Sequence, residues 1–295
     1  MFYFDPVDIG RWGSYASYRD PEQRELQLSN LYPVSSLLHV GEGQLQLIYT
    51  KYIHQLCEYL ETVSKEVPIT DTEVHLIDEV FYTSKIEGAK TTRQRTKDIH
   101  NGAPIRDDDA HSEAMILGGF RATRMLNLYG NKMSKEIMCN VWEVMVEGCC
   151  DNLDKRGPKG DFRSGEIFIG EHEGVKPDSV DMYMGMWFDF YNSDELNEHP
   201  FLKAALLHYV FENIHPFCDG NGRMGRLVMN NYLIGQGIES AKAVSFSMAI
   251  DADRGAYDSA FQASENEHVD CTPFIEYLLD RMATAYETAL KVNDK

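Results

Sequence analysis

Apolar positions recur at helical spacing through most of the chain. In "QLQLIYTKYIHQLCEYLETV", about residues 44–64, Leu47, Ile48, Tyr52, Leu56, Tyr59 and Leu60 share one stripe, which predicts a helix. A turn at Pro68 follows. Thr70 or Asp71 is placed to cap the next helix, "DTEVHLIDEVFYTSKIEG", which ends near Gly88. The polar residues 89–110 predict a loop. Helices are predicted over 111–129 and 134–150, separated by the turn "YGNKMS" with Ser134 as cap. The middle of the chain changes character. "KRGPKGDFRSGEIFIGEHEGVKPDS" is rich in glycine around one short apolar run, Ile167-Phe168-Ile169, and predicts a small hairpin or flap. Helical spacing then returns in "PFLKAALLHYVFENIHPF", with Leu202, Leu206, Leu207, Val210, Phe211 and Ile214 on the stripe. A helix through "GRLVMNNYLIGQG" begins just after a glycine loop. Helical stretches continue over 253–291, with a start signal at Thr272-Pro273. The expected fold class is all-α, mostly helical, with a short β-hairpin flap. Residues 1–30, with Trp12, Tyr15 and Tyr18, read as an arm that packs on something else.

Composition narrows the function classes. A chain of 295 residues, 43% hydrophobic and 25% charged, can bury a sizeable core. Its formal net charge of −19 argues against nucleic-acid or anionic-membrane partners, and requires clustered cations wherever a polyanion binds. No apolar run approaches the ~20 residues of a membrane span. The start "MFYFDPVDIG" lacks a basic region followed by an apolar one, so no signal peptide is expected. Cys57, Cys139, Cys149, Cys150, Cys218 and Cys271 show no paired metal spacing. Reduced thiols and a cytoplasmic location are the expectation.

The chemistry concentrates in "HPFCDGNGRMGR", His215 to Arg226. Such a stretch could be a polar surface turn, a metal-binding loop or a tight bend between helices. Its place between two apolar helices makes it a helix–loop–helix. The loop ends at a helix N-terminus, where unpaired amides and the dipole favour anions. Gly220 and Gly222 permit positive φ and close backbone approach, so the turn can form a nest of N–H groups. Arg223 and Arg226 are spaced to project from one face, which suits a di- or triphosphate. Asp219 could hold Mg²⁺ against those phosphates. His215 is the group here able to accept a proton near neutral pH. A metal loop would offer one His and one Asp while its arginines repelled the ion.

The stretch resembles the Fic family signature, H-x-F-x-D/E-G-N-G-R-x-x-R, with every fixed position filled. The segments "GDFRSGEIFIG", "ADRGAYDSAF" and "CTPFIEYLL" are also similar to family segments, so the resemblance covers roughly residues 75–285. It implies a helical fold with a hairpin flap, and transfer of AMP from ATP to a protein hydroxyl with Mg²⁺ or Mn²⁺. His215 would be the catalytic base and Phe217 the anchor of the loop. Asp219 would bind the metal. Gly220, Asn221, Gly222 and Arg223 would cradle phosphates, and Arg226 would hold the γ-phosphate. The hairpin near 163–170 would clamp the target by strand addition. "TSKIEG" resembles the family's inhibitory motif, S/T-x-x-x-E-G/N, through Thr83, Glu87 and Gly88. The implied organisation is an arm and helical region over 1–74, a Fic domain over 75–285 with an inhibitory helix near 72–88, and a tail over 286–295. A nucleotide-binding scaffold without turnover is the competing class; intact His215 and Asp219 favour an enzyme. Removal of AMP, or transfer of another phosphate-containing group, is the alternative within the enzyme class. Self-modification and homo-oligomerisation stay open.

Overall fold

The computed structural model describes residues 30–169, 172–265 and 268–293. The expected arm over 1–30 lies, apart from Asn30, outside the described residues. Eleven α-helices and three two-stranded antiparallel pairs are seen among the described residues. The predicted fold class holds.

The first elements are strands. β1 (Tyr32–Pro33) pairs with β4 (Gln46–Leu47), and β2 (His39–Val40) pairs with β3 (Gly43–Gln44). The expected helix over 44–64 therefore starts later, as α1 (Lys51–Val63). The residues before it alternate: Leu45 and Leu47 are buried, while Gln44 and Gln46 are half-buried. Gln46 also bonds across the chain, donating to Val269 and accepting from Cys271. Thr50 starts α1 by accepting from the Ile53 amide at 3.1 Å.

α2 (Thr72–Ile86) follows, with Asp71 at the cap position in a left-handed conformation and making no capping bond. Gly88, at φ 90°, closes the other end as the sequence suggested. Two tethers hold α2 to α9 (Phe246–Asp251). Glu79 accepts from the Ser247 amide at 3.0 Å and from the Ser245 hydroxyl at 2.8 Å, and Lys85 pairs with Asp251 at 2.6 Å. The expected loop over 89–110 contains α3 (Arg93–His100) and a short 3₁₀ turn (Asp107–Asp109). Polarity hides this helix from pattern reading. Its buried face includes Arg95, whose guanidinium makes two 2.6 Å bonds to the buried Glu113 of α4 (Ala110–Tyr129). α2, α3 and α4 share a small cluster, Ile77, Val80, Ile99, Ile116 and Phe120, separate from the main core.

That core runs from Val34 to Ala289 and is centred on α7 (Pro200–Ile214), which is buried on every side from Phe201 onward. α5 (Lys135–Met145) begins at the predicted Ser134 cap and ends before the predicted 150. α6 (Pro177–Asn192), which the spacing above does not single out, leans on α7 through a 2.9 Å bond from Trp187 Nε1 to the Leu207 carbonyl. The flap is β5 (Phe168–Ile169) paired with β6 (His172–Glu173). α8 (Asn221–Gly235) starts inside the glycine loop and thus absorbs Gly222. α10 (Arg254–Ser264) and α11 (Thr272–Asn293) complete the chain, and α11 runs on through residue 285.

Candidate active site

α7 stops because Pro216 has no amide to continue it. His215 takes the stop in a left-handed conformation, φ 51° and ψ 61°, unusual for a residue with a side chain. Three contacts hold it there. Its amide donates to Phe211 at 2.9 Å, its carbonyl accepts from Arg163 Nε at 2.7 Å, and its Nδ1 lies 3.1 Å from the Glu212 carbonyl. A carbonyl can only accept, so Nδ1 carries the proton and Nε2 bears the lone pair of the neutral ring. That tautomer is the one a base needs.

The loop is then braced from inside. Phe217 stacks on Trp142, with centroids 4.5 Å apart, and meets Phe162 edge-on at 5.5 Å. Asn221 is 2% exposed, and its side chain returns to the loop: Oδ1 accepts from the Phe217 amide at 2.9 Å and Nδ2 donates to the Phe217 carbonyl at 2.8 Å. Its amide group is therefore a brace, and only its backbone is left to serve an anion. Trp142 Nε1 donates to the Asp219 carbonyl at 2.8 Å. Gly220, at φ 75°, makes the turn into α8.

A cavity of about 610 Å³ opens over this helix start. His215, Asp219, Gly220, Gly222, Arg226 and Glu87 line it, with Arg254 and Tyr257 of α10 on the far side. Arg254 lies 4.6 Å from the Tyr257 ring centre. The two arginines of the motif part company. Arg226 faces the cavity, whereas Arg223 turns toward Cys149 at 3.5 Å and Asp219 at 3.7 Å. Its position four residues after Asp219 on the same turn favours that pairing.

Arg226 is 1% exposed and held by residues far away in the chain. Nη2 bonds Glu87 Oε1 at 2.6 Å, and Nε bonds Thr83 Oγ1 at 2.8 Å. Thr83 thus touches the arginine directly. The Glu87 carboxylate also lies on the helix start itself: a Cβ added at Gly222 would come within 2.3 Å of Glu87 Oε1. Burial pushes the Glu87 carboxyl up, but Arg226, and then Arg223 and Arg254, outweigh it and hold it below the usual range. Glu87 therefore occupies, as an anion, the place that the amide nest and arginine offer to an anion.

Asp219 Oδ1 accepts from Gly220 at 2.7 Å and Oδ2 from Asp151 at 3.0 Å, which aims the carboxylate at the cavity. No cluster of three His, Cys, Asp or Glu side chains capable of caging a metal exists among the described residues. One carboxylate beside an anion nest fits a Mg²⁺ that arrives with phosphates.

Arg163 is a site residue the sequence reading did not single out. It is 4% exposed and spends its guanidinium on the carbonyls of His215, Gly165, Val175 and Ile214. It thereby joins both roots of the flap to the histidine. An arginine between Phe162 and a Ser-Gly pair was the available signal. Phe168, on the flap, is 63% exposed.

Glycines at a helix start, a buried arginine and a histidine whose proton sits on Nδ1 thus line one cavity. Residues 133–233 match the Fic/DOC family model. The matched stretch contains the cavity's His215–Arg226 floor. The protein adenylyltransferase Fic of Drosophila grimshawi is 30% identical over 164 residues, 54% of this chain and 33% of the relative. The chain thus spans about a third of the length of the curated relatives it matches. Among solved structures, a Fic family protein from Desulfovibrio desulfuricans G20 superposes with a TM-score of 0.71 at 22% identity, covering 83% of this chain and 76% of that one. Fic-1 from C. elegans does so with a TM-score of 0.62 at 18% identity, covering 83% and 71%. Both share the fold. Among the described residues, no helix is long and apolar enough to cross a membrane.

Proposed function

We propose that this chain is a protein adenylyltransferase, which transfers AMP from ATP to a hydroxyl side chain of a protein and is held at rest by Glu87. The observation that carries this reading is the single cavity joining His215 to a glycine nest and to Arg226, with a carboxylate already seated on the arginine. ATP lays its phosphates over the amides of Asn221 and Gly222 at the start of α8 and its γ-phosphate on Arg226. Asp219 holds the accompanying Mg²⁺ or Mn²⁺, which supplies charge neutralisation. His215 Nε2 takes the proton of the target hydroxyl, the oxygen attacks the α-phosphorus, and the bond to pyrophosphate breaks. Arg163 keeps His215 and the flap in register. The target docks on the flap near 163–170, where the β5–β6 pair consists of two strands and Phe168 is exposed. ATP labelled on the α-phosphate, incubated with the purified protein and a cell lysate, tests the reading. Label should enter protein, including this chain by self-modification, only with divalent metal. General-base catalysis is worth about 10²–10⁴-fold. His215→Ala should therefore abolish labelling while ATP still binds, and Asp219→Ala should not be fully restored by excess metal. Undiminished labelling by a folded His215→Ala protein refutes the assignment.

A further inference from the structure

One buried carboxyl beside the cavity has no part in the scheme above. Glu212 stands one turn before His215 on α7, is 6% exposed and lines the same cavity. Oε2 lies 3.9 Å from His215 Nδ1, and Oε1 lies 3.9 Å from Nδ1 of His208. His208 in turn meets the Tyr257 hydroxyl at 3.1 Å through Nε2. The side chain fits where α8 carries no side chain: a Cβ at Gly225 would fall 2.5 Å from Glu212 Oε1.

Two other carboxylates, the buried Glu113 and the half-buried Glu79, are well supplied with donors. Glu113 takes two bonds from Arg95 and one from the Arg106 amide, and Glu79 takes three from Ser245 and Ser247. Glu212 Oε1, by contrast, has no hydrogen-bond partner among the described residues. A buried carboxyl left unsaturated between two imidazoles is costly as mere scaffolding and is characteristic of sites that move charge.

We propose that Glu212 is the positioning carboxyl of His215: its ionised form stabilises the imidazolium that arises when His215 takes the target's proton. The proton goes from the hydroxyl to Nε2, Nδ1 keeps its own proton on the Glu212 carbonyl, and no proton passes to the Glu212 carboxylate. The inference rests on His215 being the base. The charged and titratable groups around Glu212 are His208 and His215 on its own helix, Arg226 on α8, Arg254 and Tyr257 on α10, and Glu87 after α2. Burial pushes the carboxyl up to about 7, Arg226 and Arg254 pull it down, and Glu87 adds to the rise. The carboxyl therefore changes charge near neutral pH.

The test uses the Glu87→Gly protein, with label transfer followed across about pH 5.5–9. Both Glu212 and His215 must lose a proton for the fast reaction, so the acid limb of log kcat should have a slope above one. Glu212→Gln should reduce that slope to one and lower kcat at alkaline pH by about tenfold, with the KM for ATP within about twofold. Glu212→Asp, which also serves if the Gln protein does not fold, should keep the steep limb at a lower kcat. A Gln protein with the parental slope and kcat, a loss confined to the KM for ATP, or an Asp protein with a single ionisation would each overturn the inference. The His215→Ala control separates the two ideas. If it still transfers AMP, the base assignment fails; if it is dead while Glu212→Gln is unchanged, only the role of Glu212 fails.

Discussion

Replacing Glu87 by glycine should switch the protein on. In the resting arrangement Arg226 is buried and its Nη2 is committed to Glu87 at 2.6 Å, so the γ-phosphate must displace a carboxylate from the group that would orient it. A hydrogen bond between charged groups contributes about 1.5–3 kcal/mol, which corresponds to roughly ten- to a hundredfold in rate. The lower part of that range is expected, because the Glu87 side chain is 30% exposed and solvent screens the pair. The substitution removes only the competitor, since Thr83 still bonds Arg226 Nε at 2.8 Å and keeps the guanidinium aimed at the cavity. Initial rates of incorporation from α-labelled ATP, into a lysate and into the chain itself, measure the effect. Glu87→Gly combined with Arg226→Ala should stay inactive, because the phosphate clamp is gone. Acid should not mimic the release across about pH 6–9: Glu87 is held below its ordinary pKa, so its charge is lost only as pH falls through that lowered value. A Glu87→Gly rate within about twofold of the parent, or a rise that persists without Arg226, refutes competition for that arginine.

Two further outcomes follow from the packing. At Gly222 an added Cβ would meet Glu87 Oε1 at 2.3 Å and Arg226 Nη1 at 3.1 Å, so Gly222→Ala should lower the melting temperature in the parent protein. In the Glu87→Gly background the same change should be neutral or stabilising, since alanine gains about 0.5–1 kcal/mol over glycine inside a helix; an equal loss in both backgrounds would place the clash elsewhere. Glu276, 5% exposed and bonded to Thr50 at 2.6 Å, has its carboxyl pushed up to about 8, first by burial and then by Asp270. Its neutral form is favoured by folding, so stability should fall as pH rises from the ordinary 4.5 through about 8, and Glu276→Gln should flatten that decline in thermal melts; an unchanged slope would exclude Glu276 as its source.

What was legible in the sequence depends on where each residue finds its partner. The loop could be read because its parts lie within one stretch: the turn at Gly220, the anchor Phe217 and the helix start follow from neighbours a few residues away. Even there, the inward turn of Asn221 and the parting of Arg223 from Arg226 are decided by the packing around Phe217 and by Cys149, and spacing alone carries neither. α3 was invisible because its buried face is mostly polar, Arg95 paired with Glu113 and Thr96 beside the single apolar Ile99, which hydrophobic periodicity counts as surface. The strands at 43–47 passed for a helix because so few residues cannot separate a period of 2 from 3.6, and their partners are two-residue strands at 32–33 and 39–40 with one further tie from Gln46 to Val269 and Cys271. Arg163 and Glu212 act on His215 from outside the motif and leave no periodic trace.

The same distinction bears on how Glu87 could leave. The helix that carries it rests on the small cluster it shares with α3 and α4, and on polar tethers to α9, Glu79 with Ser245 and Ser247 and Lys85 with Asp251. None of its apolar residues belongs to the buried core around α7; Ile86 alone packs against its edge. Helix ends secured by hydrogen bonds and partly exposed ion pairs open at a lower cost than core helices do. The end bearing Glu87 can therefore withdraw from Arg226 while α7, the loop and α8 keep their packing, so the proposed activation requires only the carboxylate to move.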